Sequence, residues 1–324
     1  MKVFRSLEEV KGLDSGSAVT IGVYDGVHLG HRKILDELRV RAGNLGLPSV
    51  VITFDPHPAT IVKPDAVPPL ICSIDQRLEL LAGAGVDVAI VVPFDSEFRN
   101  EDASEFIDRV IVDCCHAKSV VVGADFRFGR GREGDTEMLS SLGEKKGYVS
   151  TGIPLSYNGA GNKISSSKVR ELIATGNVDA ASRLLGRFFE ITGYVVRGHH
   201  RGGPLLGFPT ANLQVDRQLA VPAEGVYACW YVRSHPGDGS FMRGRVLPAA
   251  VSIGANSTFT NEGSVSVEAH LLDFRGDLYE EGASVRFVER IRSQERYASH
   301  DALKSQISKD IGEVRKVLHV QGPA

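Results

Sequence analysis

The sequence predicts an α/β domain built on a mostly parallel sheet, followed by a small antiparallel β-barrel domain with a C-terminal helix. Three observations carry this. The first half alternates short apolar runs with helix-patterned stretches, as strands joined by crossover helices do. After about Leu185 the helical pattern vanishes, and short apolar runs broken by Gly and Pro replace it. The length of 324 residues suits about two domains, each able to bury a core.

The elements follow in order. Residues 18–23 read as a buried strand. Residues 29–45 read as a helix stopped by Gly46 and Pro48. Residues 49–54 form a second strand, and 73–82 a helix with Ser73 and Gln76 spaced as a capping box. Strands over 86–92 and 119–123 flank a helix over 101–112. A helical hairpin turns at Thr175-Gly176-Asn177, and the domain boundary is placed after it, giving domains 1–185 and 186–324. Beyond it, strands are expected at 194–196, 226–232, 265–272 and 284–288. Trp230 alternates with Val226, Ala228 and Val232, so core packing is its expected role. A closing helix over 300–318 carries Leu303, Ile307, Ile311, Val314 and Leu318 at helical spacing.

Composition excludes several function classes. The 37 basic and 40 acidic residues give a net charge of −3, so no nucleic-acid partner is expected. No apolar run reaches the ~18 residues of a membrane span, and the start MKVFRSLEE, which contains acids and no apolar core, does not read as a secretory leader. Cys72, Cys114, Cys115 and Cys229 form no CxxC pair, which fits reduced thiols and a cytoplasmic location.

In the first half the first strand runs into Gly22-Val23-Tyr24-Asp25-Gly26-Val27-His28-Leu29-Gly30-His31. Glycines let backbone approach an anion, and the following helix offers free N–H groups. His28 and His31 share a face of its first turn, where two imidazoles could neutralise charge in phosphoryl or nucleotidyl transfer. Three more segments leave strand ends or open a helix. They are Thr53-Phe54-Asp55-Pro56-His57-Pro58, whose prolines fix a rigid, extended loop, the segment Gly123 to Gly129, and Ile164-Ser165-Ser166-Ser167-Lys168-Val169-Arg170. Each alone also fits an ordinary turn, loop or helix cap. Gly129-Arg130-Gly131-Arg132-Glu133-Gly134 matches GxGxxG, but it neither begins at a strand end nor opens a crossover helix, so a dinucleotide site is rejected. No P-loop, HExxH or GxSxG occurs.

In the second half the glycine-rich segment from Arg201 through Gly207 to Asn212 ends in Thr210 and Asn212, small oxygen donors able to hold Mg²⁺ beside a nucleotide. The alternative is an ordinary barrel loop. On the strand 265–271, Ser266, Glu268 and His270 share the face opposite Val265, Val267, Ala269 and Leu271. Glu268 could accept a hydroxyl proton there, or simply face solvent. His199-His200 reads as a polar loop, and His270 as structural.

These residues resemble the prokaryotic bifunctional riboflavin kinase/FMN adenylyltransferase family, also called FAD synthetases. The resemblance covers nearly the whole chain. It rests on the HxGH segment and its three companions, then on GFPTAN (207–212), PAEGVYA (222–228), SIGAN (252–256) and VEAHLLDF (267–274) with Asp277-Leu278-Tyr279. It implies a Rossmann-like nucleotidyltransferase domain followed by a riboflavin kinase barrel. It also implies two reactions with ATP and Mg²⁺: riboflavin to FMN, then FMN to FAD with release of pyrophosphate. By motif, Glu268 would be the kinase base, and Thr210 and Asn212 would hold metal and nucleotide with Gly207. His28 and His31 would stabilise the α-phosphate. Gly22, Asp25, Gly30, Asp125, Ser165, Ser166 and Arg170 would bind nucleotide. Pro56, His57, Pro58 and Arg292 would lie toward the flavin. The chain departs from the family at Tyr24 (usually Phe), Ser167 (Thr), Ser257 (Pro) and Glu280 (Gly). Two other readings compete. In one, motivated by the Ser257 and Glu280 departures, a single half is active and the other is a flavin-binding or regulatory module; intact Thr210, Asn212 and Glu268 oppose it. In the other, the protein is a non-enzymatic flavin carrier; two separate phosphate-handling motif sets oppose that.

Overall fold

A computed structural model of the chain describes residues 1–157, 159, 161, 163–197, 208–234, 244–255 and 265–322. The chain divides into two compact units, Met1–Pro68 with Arg77–Ser165, and Pro69–Gln76 with Ser166–Ala324.

In the first unit β1 (Lys2–Phe4), β2 (Ser17–Ile21), β3 (Ser49–Phe54), β4 (Val88–Val92), β5 (Ala117–Gly123) and β6 (Val149–Ile153) form one sheet ordered β1-β4-β3-β2-β5-β6. Every neighbouring pair is parallel. β2, β3 and β4 are buried along their whole length. Continuous apolar runs specify that when both faces of a sheet are covered. α1 (Leu29–Leu45) spans the residues its pattern predicts, buries Leu35, Leu38 and Ala42, and stops at Gly46 with φ 65°. That left-handed position is one glycine fills without a Cβ clash. β3 and β5 flank β2 on opposite sides, so β2 is the switch point of the sheet, and ligands of such sheets bind beyond its C-terminal end.

Short helices α2 (Ala59–Val62), α3 (Ile74–Gly83), α4 (Ser96–Asn100) and α5 (Ala103–Phe106) follow, and α6 (Thr136–Lys146) precedes β6. The predicted capping box exists. The Ser73 N–H donates to Gln76 Oε1 at 3.0 Å, and the Gln76 N–H donates to Ser73 Oγ at 3.2 Å. The helix predicted over 101–112 differs: α5 runs on into a π-helical stretch, Ile107–Cys114, that turns Ile107, Val110 and Ile111 into the core. Sequence patterning also missed β1 and β6. β1 is three residues long with Lys2 and Val3 exposed, and β6 is an edge strand with Val149 and Gly152 exposed, so neither shows a buried apolar run.

The second unit holds the helical hairpin α7 (Ser166–Ala174) and α8 (Val178–Leu185), turning at Gly176 with φ 78°. Six strands then close a barrel: β7 (Phe189–Val196), β8 (Ala211–Val215), β9 (Gly225–Ser234), β10 (Arg245–Ala255), β11 (Val265–Leu271) and β12 (Gly282–Arg292), in the order β10-β11-β8-β7-β12-β9. All neighbours are antiparallel, and the β9–β10 pair closes the ring. β8 and β10 escaped the sequence reading. Asn212 and Gln214 interrupt the first. Pro248, which stands opposite Trp230 in register, and Gly254 interrupt the second.

β9 is buried on both faces. Tyr227 and Tyr231 are fully buried, and Tyr227 meets Phe287 edge-on at 5.4 Å. On the other face Trp230 packs with Ala228, Leu272 and Val288 against Val314 and Leu318 of the closing helix α9 (His300–Gln321). Core packing is therefore Trp230's role, in a satellite core under α9. None of the four cysteines is in a disulfide, and Cys72, Cys115 and Cys229 are buried.

Candidate active sites

The chain leaves β2 through a strained turn. The Gly22 N–H donates to Ile52 O at 3.0 Å. Tyr24 takes φ 53°, Gly26 φ 77° and Val27 φ 38°. Positive φ in a β-branched valine is costly backbone, of the kind that clusters at functional sites. Tyr24 is buried, its hydroxyl lies 2.6 Å from Thr20 Oγ1, and burial pushes its pKa up. Asp25 is buried too.

His28 caps α1. Its Nδ1 accepts the His31 backbone N–H at 3.2 Å, so a neutral ring carries its proton on Nε2. The His28 and His31 rings stack at 3.6 Å, and Tyr24 lies 4.9 Å from His31. The two imidazoles thus share one face of the turn, as their spacing predicts. A Cβ on Gly30 would stand 3.1 Å from the His28 ring and 3.5 Å from the Ile164 carbonyl. Glycine there lets the segment leading into Ser165 lie against the HxGH turn, so the fold brings two predicted segments together.

Asp125 follows β5 and pairs with Lys163 at 2.7 Å, both half-exposed. Thr53 Oγ1, at the end of β3, donates to Val23 O at 2.9 Å and ties the two strand ends together. The Pro56-His57-Pro58 loop is not extended throughout, which corrects the sequence expectation. Pro58 takes φ −51° and ψ −29° and leads into α2, and His57 Nδ1 accepts the Ala59 N–H at 3.0 Å. The proline ring fixes a φ that suits a helix start as well as an extended chain. The GxGxxG match forms a single turn, Arg130–Arg132, and α6 begins only at Thr136. Within it Arg130 pairs with Asp102, and neighbouring Arg127 pairs with Asp135.

In the second unit Ser166 opens α7, and Arg170 Nε donates to Pro69 O at 2.8 Å. Ser167 is exposed. The barrel places the second predicted group on one face. Glu268 on β11 stands directly opposite Asn212 on β8 and Ser252 on β10. Thr210 Oγ1 lies 3.4 Å from Glu268 Oε2. Thr210, Asn212 and Glu268 therefore converge, with oxygen donors only, which suits a hard cation such as Mg²⁺. The loop expectation is corrected for Asn212, which lies on a strand because its backbone joins the β11 ladder. Pro209 O lies 2.8 Å from His270 Nδ1, which pins the segment that delivers Thr210. Gln294 Nε2 donates to Ser252 Oγ at 2.7 Å, a contact that no sequence signal announced.

Arg292 grips Asp310 of α9, Nη2 to Oδ2 at 2.7 Å and Nε to Oδ1 at 2.9 Å, and this pairing holds its pKa up. Sequence reading gave it a flavin contact and missed the carboxylate, which lies eighteen residues away. Glu280 has φ 64°, which explains why glycine is common there in the family it resembles. Gly207, Ser257 and His199-His200 lie outside the described residues.

A family model described as FAD synthetase matches residues 10–168, and one described as riboflavin kinase matches residues 185–318. The bifunctional riboflavin kinase/FMN adenylyltransferase of Pseudomonas fluorescens is 36% identical over 316 residues, 97% of each chain. That of Escherichia coli K12 is 36% identical over 325 residues, 100% of each chain. That of Haemophilus influenzae is 33% identical over 96% of this chain and 97% of its own. Among solved structures, one described as a macrolide-efflux protein from Streptococcus pneumoniae superposes with a TM-score of 0.84 at 29% identity, over 97% of this chain and 98% of that one.

Proposed function

The chain belongs to the bifunctional riboflavin kinase/FMN adenylyltransferase family, and we propose that its two reactions run at the two residue groups described above. It is a transferase that phosphorylates riboflavin to FMN with ATP and adenylylates FMN to FAD with release of pyrophosphate. The division of labour proposed is residues 1–185 for adenylyl transfer and 186–324 for the kinase. The two family matches, 10–168 and 185–318, support it.

In the kinase half Glu268 is the general base that takes the proton of the ribityl hydroxyl. A carboxylate on a strand, fixed between two neighbours of its own ladder, keeps its place as the proton moves. Thr210 and Asn212, with Gly207, hold the nucleotide and Mg²⁺. The ion, when bound, neutralises phosphate charge.

In the adenylyltransferase half the Nε2–H of His28 and the stacked His31 ring donate to the α-phosphate region, where negative charge builds. Gly22, Asp25 and Gly30 shape the turn. Asp125, Ser165, Ser166 and Arg170 bind the nucleotide, and Pro56, His57 and Pro58 lie toward the flavin. Arg292 acts from its Asp310 pair as a flavin-side residue of the kinase. Among the described residues no helix is long and apolar enough to cross a membrane. With a net charge of −3, a cytoplasmic enzyme without a nucleic-acid partner is the reading that fits.

The observation that carries this assignment is the convergence of Thr210, Asn212 and Glu268 on one barrel face, taken together with the stacked His28 and His31 of the HxGH turn in the first unit. A chromatographic time course with riboflavin, ATP and Mg²⁺ tests it. FMN rises first and then gives way to FAD. Riboflavin left untouched while added FMN becomes FAD would remove the kinase reading. FMN accumulating without FAD would remove the adenylyl-transfer reading.

A further inference from the structure

Arg77, on α3, is 2% exposed, and Thr53 is fully buried. Arg77 Nη1 donates to Thr53 Oγ1 at 3.2 Å and to Phe54 O at 2.9 Å. Its Nε–H is buried with no hydrogen-bond partner, and among the described residues no carboxylate pairs with it. A buried cation without a counter-ion is costly, and a core position is filled more cheaply by an apolar side chain. What this cation touches is therefore informative. Both of its acceptors lie at the C-terminal end of β3, beside the switch point of the sheet.

Thr53 passes the contact on, since its hydroxyl accepts from Arg77 and donates to Val23 O at 2.9 Å. Val23 opens the strained turn that ends at His28, and Phe54 opens the loop that carries His57. One guanidinium thus ties the roots of both loops. Two donations from a single nitrogen to a hydroxyl and a carbonyl fit its planar geometry better than a lysine ammonium.

We infer that Arg77 is a positioning residue for adenylyl transfer. Through Thr53 and the Phe54 carbonyl it sets the relative placement of the His28 turn and the Asp55–His57 loop. The inference rests on the assignment of adenylyl transfer to these loops. Small displacements of reacting groups cost up to about a hundredfold in rate, so the effect falls on turnover more than on binding.

The test uses the full-length protein and both half-reactions, with riboflavin phosphorylation as the internal control. Arg77→Met lowers kcat for FMN adenylylation by about ten- to a hundredfold, changes KM for FMN less than threefold, and leaves the kinase within twofold of wild type. Arg77→Lys recovers part of that turnover. Thr53→Val, which keeps the shape and removes the relay, loses part of it too. The double variant Thr53→Val/Arg77→Met is no slower than Arg77→Met alone, because both changes break one path. If Arg77→Met does not fold, Arg77→Lys and Thr53→Val carry the test, each with reduced adenylyl-transfer kcat and an unchanged kinase. Adenylyl transfer within twofold of wild type in these variants, multiplying losses in the double variant, or a lysine no better than methionine would overturn the inference. The joint change of His28 and His31 to Ala separates the two claims. If it spares adenylyl transfer, the site assignment fails; if it abolishes transfer while Arg77 variants do not, only the role of Arg77 fails.

Discussion

At Tyr24 a bulky side chain is held at φ 53° with its hydroxyl 2.6 Å from Thr20. The family this chain resembles usually has phenylalanine there, so this bond is something the tyrosine adds. Both partners are buried, and removing one leaves the other unsatisfied. Tyr24→Phe is expected to destabilise the first unit by about 1–3 kcal/mol, read as a lower urea midpoint. Adenylyl transfer persists, because the ring that sits 4.9 Å from His31 is kept. Glu280 is the opposite case, a residue in a left-handed position without an added bond to explain it beyond its N–H to Val195 O at 2.9 Å.

The closing helix α9 is held by an apolar seam and by ion pairs. Leu318 is 3% exposed and packs in the cluster that includes Trp230, the chain's one tryptophan. Leu318→Ala is expected to cost about 2–5 kcal/mol, and Trp230 emission shifts red as the seam opens. A wild-type-like emission and unfolding midpoint would contradict this. Arg315 bonds both oxygens of Asp273, at 2.7 and 2.8 Å, and this holds the Asp273 carboxyl below its ordinary pKa. The sign follows. A depressed folded-state pKa gives stability that is present above the ordinary carboxylate value and is lost as pH falls through the depressed one. The pair is exposed, so its effect is small and weakens with salt. Asp273→Asn should therefore lower the unfolding temperature slightly at pH 7 and low salt, with the difference vanishing once pH falls through the lowered carboxyl pKa or in high salt. Elements with caps and length, such as α1 and α9, were legible in the sequence. β1, β6, β8 and β10 were not, because brevity, edge exposure, interleaved amides or Pro248 hide the period of a strand.

At the scale of the molecule, the chain has two units; the HxGH turn lies in the first, and Thr210, Asn212 and Glu268 lie in the second. The sequence exposes a side chain when the reason for it is local. His28 and His31 share a helical turn, and Glu268 stands on an alternating strand. It hides a side chain when the reason is a distant neighbour. Arg77 on Thr53, Lys163 on Asp125 and Asp310 on Arg292 are joined only by the fold. The central claim is that the two reactions occupy separate residue groups. The measurement that tests it most directly follows both half-reactions in folded Glu268→Ala and in the joint His28→Ala/His31→Ala variant. Glu268→Ala should lose riboflavin phosphorylation by about 10²–10⁴-fold while FMN adenylylation continues, and the histidine variant should do the reverse. Equal loss of both reactions in either folded variant would contradict the claim.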